Sequence, residues 1–414
     1  MINFISTFPP ILCGIGTYTE YLTSKMSKKS WGITSFRLDE SLKTEKSFEP
    51  DERIAYTISL LNPRFPSPLD GEVLWFMHAF GMWGDESPSF LKLIKEAKER
   101  KKKTIVSLHT LHFQSTETSC GLRENEKRLL KNILPVIDAL TVFTTKAYQA
   151  VIHTFPEYTD KVVVLRHGVH LQPHVDQKEA RKKLLRYMMN RASNSPTQNE
   201  ELRSLHDIAF SDKTIFLGNF GFITQDSDPL KIYKLRKMLQ VRLPMHKVIS
   251  IFIGRIQQRK VKKVSENLPI LERLKSIHDG KVNFFFEDYI LEEIFPFAFR
   301  ALDFVLFWPN NATQSGRMGH AQGVGGFAVG RNIEGIGETL KLSGLSPTDT
   351  LEELVEKISM FVLNPELKEK ARRSSWHYAQ TFSFKMQAQK HLLLEETVRA
   401  ERKLPTLDQY TKAL

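Results

Sequence analysis

Cysteine is almost absent from this chain of 414 residues, which has only Cys13 and Cys120. Two thiols exclude a disulfide framework and a cysteine-rich zinc module, and they fit a reducing compartment. No apolar run reaches the ~18 residues a membrane-spanning helix needs. The apolar N-terminus has no basic residue before Lys25, so it lacks the charged start of a secretory signal. Low-complexity tracts are missing, and so is any repeat of about 20–50 residues. Acidic residues are in deficit: 47 Asp+Glu stand against 59 Lys+Arg, a net charge of +12. That excess points to an anionic partner: nucleic acid, a membrane surface or a phosphorylated ligand. The deficit is local. From Lys231 to Lys263 there is no Asp or Glu, while eleven residues are Lys or Arg. No RNA- or DNA-binding motif accompanies the charge, so a specific nucleic-acid partner is not expected. The alternative is peripheral contact with an anionic membrane, at the inner face of a cytoplasmic compartment.

What the chain does have is a succession of short β-branched and aromatic runs. Five precede residue 170: Ile2–Thr7, Val73–Ala79, Thr104–Leu111, Leu140–Thr145 and Lys161–Arg166. Five follow residue 213: Thr214–Ile223, Lys247–Ile256, Lys281–Ile290, Phe304–Trp308 and Gly326–Gly330. Most are continuous rather than alternating, the pattern of parallel strands buried on both faces. Amphipathic segments lie between them, among them Thr17–Lys28, Ser89–Lys102, Glu124–Leu134, Leu230–Gln240 and Leu351–Leu363. Alternation of strand and helix predicts an α/β fold of two Rossmann-like domains with parallel sheets facing a cleft. The boundaries expected are 1–173, a polar linker or insertion at 174–212, 213–380, and a C-terminal helical segment at 381–414. Asp176–Asp212, with Asn190–Asn199 rich in Asn, Ser, Pro and Gln, reads as a helix plus a flexible connection.

Glycine-rich turns follow several strands. Phe8-Pro9-Pro10-Ile11-Leu12-Cys13-Gly14-Ile15-Gly16-Thr17 opens a helix whose free N–H groups suit an anion. It reads equally as a connection that merely needs glycine. His109 ends the third strand, at the carboxyl edge where open α/β sheets bind ligands. His109 and His112 lack a third nearby metal ligand. Arg166-His167-Gly168 ends the fifth strand. Ser315-Gly316-Arg317 opens a helix, with Arg317 as a fork donor. A third turn runs from Arg331 to Glu338. Asp226-Ser227-Asp228 has the spacing of a cation site, but Asp228-Pro229 reads better as a helix start with Asp as the cap.

These motifs, in this order, resemble the retaining glycosyltransferases of family 4, which have the GT-B fold. The resemblance covers most of the chain. It rests on Ser6–Tyr21, His109, Val163–Val169, Ala301–Pro309, Ser315–Gly326, Asn364-Pro365-Glu366-Leu367 and Trp376. It implies transfer of a hexose, by default glucose or mannose, from a nucleotide-diphosphate sugar with retained configuration. The acceptor would be a glycan, a lipid or a small molecule. No cofactor and no metal are implied beyond the donor itself. The donor would lie on the C-terminal domain and the acceptor on the N-terminal one, with the last helix crossing back. His109 would contact the transferred sugar. Gly14 and Gly16 would approach the diphosphate or the acceptor.

The sequence departs from the family where the donor is held. Phe222 and Ser227 stand where an Arg and a Lys grip the diphosphate, and Ala312 and His320 replace two glutamates. A departing diphosphate still requires fixed positive charge. The substitutes expected are Arg255, Arg259 and Lys260, with Arg317 and Arg331. The expected site is therefore His109 and Arg255 in catalysis. Gly14, Gly16, Lys260, Ser315, Gly316, Arg317, His320, Arg331 and Glu338 would bind the donor. A second expectation is a catalytically degenerate binding protein or partner subunit of the same fold.

Overall fold

The computed structural model describes residues 1–41, 43, 51–84, 86–173, 175–192, 195–256, 261–291 and 293–404, with 261–263 described by backbone alone. The chain divides into two compact units, one of residues 1–168 and 381–414 and one of residues 169–380.

Unit 1 begins with β1 (Ile2–Ile5), α1 (Gly14–Thr23), β2 (Trp31–Phe36), β3 (Ile54–Ile58) and β4 (Val73–His78). It continues through α2 (Phe80–Trp83), α3 (Pro88–Glu99), β5 (Lys103–Leu108), α4 (Glu124–Ile133), β6 (Ala139–Val142), α5 (Thr145–Thr154) and β7 (Val162–Val164). The seven strands form a parallel sheet in the order β3-β2-β1-β4-β5-β6-β7. Every residue of β1, β4, β6 and β7 is buried, as continuous apolar runs require when helices cover both faces.

Strands β2 and β3 are additions to the sequence reading. Gly32, Thr34 and Ser35 dilute β2, although all six of its residues are buried. Thr34 is satisfied there by reciprocal hydrogen bonds with the Asn3 side chain at 3.0 and 3.1 Å. β3 is the edge strand and is mostly half-exposed, so its apolar signal is weak.

Unit 2 opens with α6 (Gln177–Arg191) and α7 (Pro196–Ile208). There follow β8 (Thr214–Phe220), α8 (Leu230–Arg242), β9 (Lys247–Ile253), α9 (Val261–Ile277), β10 (Asn283–Phe286) and α10 (Phe295–Ala301). It closes with β11 (Phe304–Phe307), α11 (Gly316–Gly323), β12 (Ala328–Gly330), α12 (Glu334–Leu342), α13 (Leu351–Leu363) and α14 (Pro365–Thr381). Its five strands are parallel in the order β10-β9-β8-β11-β12.

The segment expected as a helix plus a flexible connection holds two helices, α6 and α7. Asp176 caps α6 by accepting from the N–H groups of Lys178 and Glu179. Ser195 and Pro196 start α7 with a side-chain cap and a proline in the first turn. Ala180, Leu184, Leu185, Leu202 and Leu205 lie in the core of unit 2. Arg181 anchors α6 through a 2.6 Å ion pair with Asp303 and hydrogen bonds to the carbonyls of Ala301 and Ala209. The Asn- and Ser-rich connection and the polar surface of α7 hid its buried Leu202 and Leu205.

The last helix, α15 (Phe384–Arg399), belongs to unit 1. Phe384, Ala388, Leu394 and Val398 complete a core with Phe4, Tyr18 and Trp75. Gly168 is needed for that approach, since a Cβ there would lie 2.6 Å from the Phe384 ring.

Candidate functional site

At the carboxyl edge of the unit 1 sheet, four aromatic rings close around His109. The Tyr18 ring lies 4.9 Å from both His109 and His167, and Phe143 lies 5.0 Å from His109. Phe384 closes the cluster 5.3 Å from Tyr18. His109 Nε2 lies 3.3 Å from Met77 Sδ, and its backbone N–H donates to the His78 carbonyl. Burial pushes the His109 imidazole down to about 3, reinforced by the neighbouring His167. His167 is lowered to about 4 by burial, against the opposing effect of its Nδ1–H donating to the Gly168 carbonyl. His109 is thus neutral throughout the physiological range. A neutral imidazole can contact an electron-poor sugar carbon without repelling it.

Gly14 and Gly16 play different parts. Gly14 is the exposed first residue of α1, and a Cβ there would meet nothing within 4 Å. Gly16 is buried, and a Cβ there would lie 3.2 Å from the Thr7 carbonyl group, so it serves loop packing. The first-turn N–H groups at Gly14 remain the open approach.

The carboxyl edge of unit 2 is built around a half-buried arginine. Arg317, on the first turn of α11, donates from Nη1 to the Phe220 carbonyl at 2.6 Å. Its side chain fills the space beside Gly221, whose φ of +137° suits glycine; a Cβ there would lie 2.6 Å from Arg317 Nη1. Burial lowers the guanidinium to about 10, which leaves it charged at neutral pH. Ser315 precedes α11 without a side-chain cap, and Gly316 is exposed at the helix start. Arg331 follows β12 and donates to the Pro309 carbonyl at 3.4 Å. Gly335 fits against Thr313 and donates its N–H to that carbonyl, which joins the two glycine-rich turns. Glu338 lies half-buried one turn into α12.

Arg255 is exposed just after β9, with its guanidinium 5.0 Å above the Tyr289 ring. Phe222 packs against the same tyrosine at 5.6 Å. Ser227 turns inward, donating to the carbonyls of Phe222 and Thr224. Ala312 packs on the core. His320 stacks on His170 at 3.5 Å and 6°, and on Phe295 at 5.3 Å. Arg259 and Lys260 lie outside the described residues.

The capping role expected of Asp228 is not seen. Pro229 occupies the cap position of α8, the Asp228 backbone adopts φ +36°, and its carboxylate pairs with Lys231 at 3.5 Å. Among the described residues, no cluster of three or more His, Cys, Asp or Glu could hold a metal.

The site residues thus fall into two groups. His109, Gly14 and Gly16 line the unit 1 edge, and Arg255, Ser315, Gly316, Arg317, His320, Arg331 and Glu338 line the unit 2 edge. Sequence reasoning missed Tyr18, Phe143 and Tyr289 as members of these edges. Tyr18 stands one helical turn after Gly14 and passes for an ordinary apolar position.

No protein-family model matches the chain, and no curated protein matches it. Solved structures do. A sucrose-phosphate synthase from Thermosynechococcus elongatus matches at TM-score 0.68 and 13% identity, over 97% of this chain and 99% of that one. A UDP-forming trehalose-phosphate synthase from Burkholderia xenovorans matches at TM-score 0.67 and 10% identity, over 96% and 99%. HepE from Anabaena, solved in complex with UDP, matches at 0.63 and 12%, over 96% and 99%. The fold is GT-B. At these identities the likeness is one of architecture: two Rossmann-like α/β domains with parallel sheets. No helix among the described residues is long and apolar enough to cross a membrane.

Proposed function

We propose that this protein is a retaining glycosyltransferase of the family 4 kind, moving a hexose from a nucleotide-diphosphate sugar to an acceptor. Unit 2 would hold the donor, and unit 1 the acceptor and His109. The observation that carries this reading is the seat of Arg317. A guanidinium fixed beside Gly221, on the first turn of a helix, supplies the pre-set positive charge that a departing diphosphate requires. Among the described residues, one of its donors is committed, Nη1 to the Phe220 carbonyl, and the rest of the planar fork would meet phosphate oxygens. Arg255 over Tyr289 would add a second cation, and the exposed N–H groups at Gly316 would complete the cradle. Neutral His109 would face the sugar as positive charge develops on it. The UDP-forming and UDP-bound neighbours support a nucleotide sugar as donor.

The test is turnover or hydrolysis of a panel of UDP-, GDP- and ADP-sugars. One donor should be consumed, and Arg317→Gln should lower kcat by about 10²–10³, the range for removing one preorganised charge-stabilising donor. No turnover of any donor by well-folded protein would sink the reading. Nucleotide binding without turnover would favour the degenerate alternative, to which Phe222 and Ala312 in place of charged groups lend support.

We place the protein in the cytoplasm, in peripheral contact with anionic membrane. Supporting this, Lys234, Lys237 and Val241 share one exposed face of α8, and Val241 and Met245 are 81% and 71% exposed. Sedimentation with phosphatidylglycerol vesicles should occur at low salt and fall off by 0.5 M salt. Equal sedimentation with neutral vesicles would refute the electrostatic contact.

A further inference from the structure

Unit 1 contains a cavity of about 560 Å³ that lies away from the His109 cluster. One wall is α5, which presents Lys146, Gln149 and His153 at helical spacing on a single face. The opposite wall is the loop between β5 and α4, represented by Phe113, Ser119 and Cys120.

This loop wall is preformed. Gly121 adopts φ +82°, and a Cβ there would lie 2.2 Å from the Phe113 carbonyl oxygen. The Ser115 N–H donates to the Gly121 carbonyl, and Thr118 Oγ1 donates to the Leu122 carbonyl. Upstream, the buried Glu126 carboxylate accepts from both the backbone N–H and the ring of His112. Two hydrogen-bonded ends therefore hold the loop before any ligand arrives, which lowers the ordering cost of binding.

The lining chemistry is selective. Phe113 supplies a partly exposed ring face, the Gln149 amide and Ser119 hydroxyl can both donate and accept, and Lys146 supplies a cationic group with the His153 ring beyond it. Seven positions along α5 set these two about 10.5 Å apart. Lys146 stands in the first turn of α5, just past β6, so the groove runs away from the carboxyl edge of the sheet. An aromatic platform, amide and hydroxyl partners and a lysine cation match a chain of sugar rings that carries a carboxylate.

We propose that this groove binds the acceptor and that the acceptor is an acidic oligosaccharide. Its rings lie along α5, with a carboxylate at Lys146. The proposal rests on the glycosyltransferase reading for the word acceptor, but the binding itself does not depend on turnover.

Cys120 makes the groove testable. Its thiol lines the cavity, with Sγ 3.1 Å from Thr118 Oγ1. In a Cys13→Ser variant, alkylation of Cys120 by iodoacetamide reads occupancy of the groove alone. Tetragalacturonate should slow alkylation several-fold, and neutral maltotetraose should not. Lys146→Glu should weaken tetragalacturonate at least about fivefold while leaving UDP binding by calorimetry unchanged. No protection by tetragalacturonate, equal protection by maltotetraose, or unchanged binding in Lys146→Glu would each overturn the proposal. A failure of the nucleotide-sugar panel would be separate, because the alkylation assay requires neither donor nor reaction.

Discussion

Acidification from pH 7 to pH 5 should cost this protein several kcal/mol of stability. His78 and His391 are fully buried in unit 1, with exposures of 0% and 1%. Burial lowers His78 to about 3 and His391 to about 4, the latter against a hydrogen bond from its Nδ1 to the Gln387 carbonyl. His391 also stacks on Trp75 at 4.6 Å, where a charged ring would be poorly solvated. In the unfolded chain both imidazoles take up a proton near pH 6.5. Above that value neither state is protonated, and their contribution is fully present. Below it only the unfolded state binds protons, so stability falls until the folded values near 3 and 4 are reached. Each imidazole removes up to ~1.4 kcal/mol per pH unit, and the pair up to about 4 kcal/mol between pH 6.5 and 5. His109 and His167 act in the same direction. Thermal melts at pH 7, 6 and 5 should show a steep decline, and His78→Gln with His391→Gln should flatten it. A melting temperature level across that range would contradict the buried, neutral assignment.

Arg181→Met should destabilise unit 2 by about 3–5 kcal/mol, the range for orphaning one partner of a buried ion pair. Arg181 is 7% exposed, and its guanidinium serves Asp303, Ala301 and Ala209 while lying 4.6 Å over the Phe216 ring. Removing it leaves the Asp303 carboxylate beside the Phe216 N–H, which it accepts at 2.8 Å, with Lys368 at 3.7 Å as its remaining cation. That lysine places the expected cost toward the lower end. Urea unfolding followed through tryptophan fluorescence measures the change. A cost under about 1 kcal/mol would mean that α6 is an appendage rather than part of the unit.

The fold was legible wherever burial on both faces leaves an unbroken apolar run. Ile215–Leu217 and Val248–Ile253 could be little other than interior parallel strands. It was illegible where polar atoms find partners across strands, as Thr34 does with Asn3, because hydrogen-bond complementarity between distant residues leaves no local trace. In α6 and α7 the reason is compositional: a polar surface outnumbers a thin stripe of buried leucine. At the site, His109 was legible because strand ends have a fixed meaning in open sheets. Its cage was not, since Tyr18 and His167 reach it from loci far along the chain. Arg317 was read as a phosphate ligand. The structure adds its seat: Gly221 makes room for the side chain, and the Phe220 carbonyl holds its Nη1.

One consequence of α15 concerns the order of events during synthesis. A ribosome emits residues 1–168 before residues 169–380, and the core they form lacks Phe384, Ala388, Leu394 and Val398 until α15 has been made. Unit 2 emerges whole and can close in the meantime. The first domain to be made is therefore the last to be finished. Until α15 emerges, the apolar seat beside Phe4 and Tyr18 stands uncovered for any holdase that screens nascent chains.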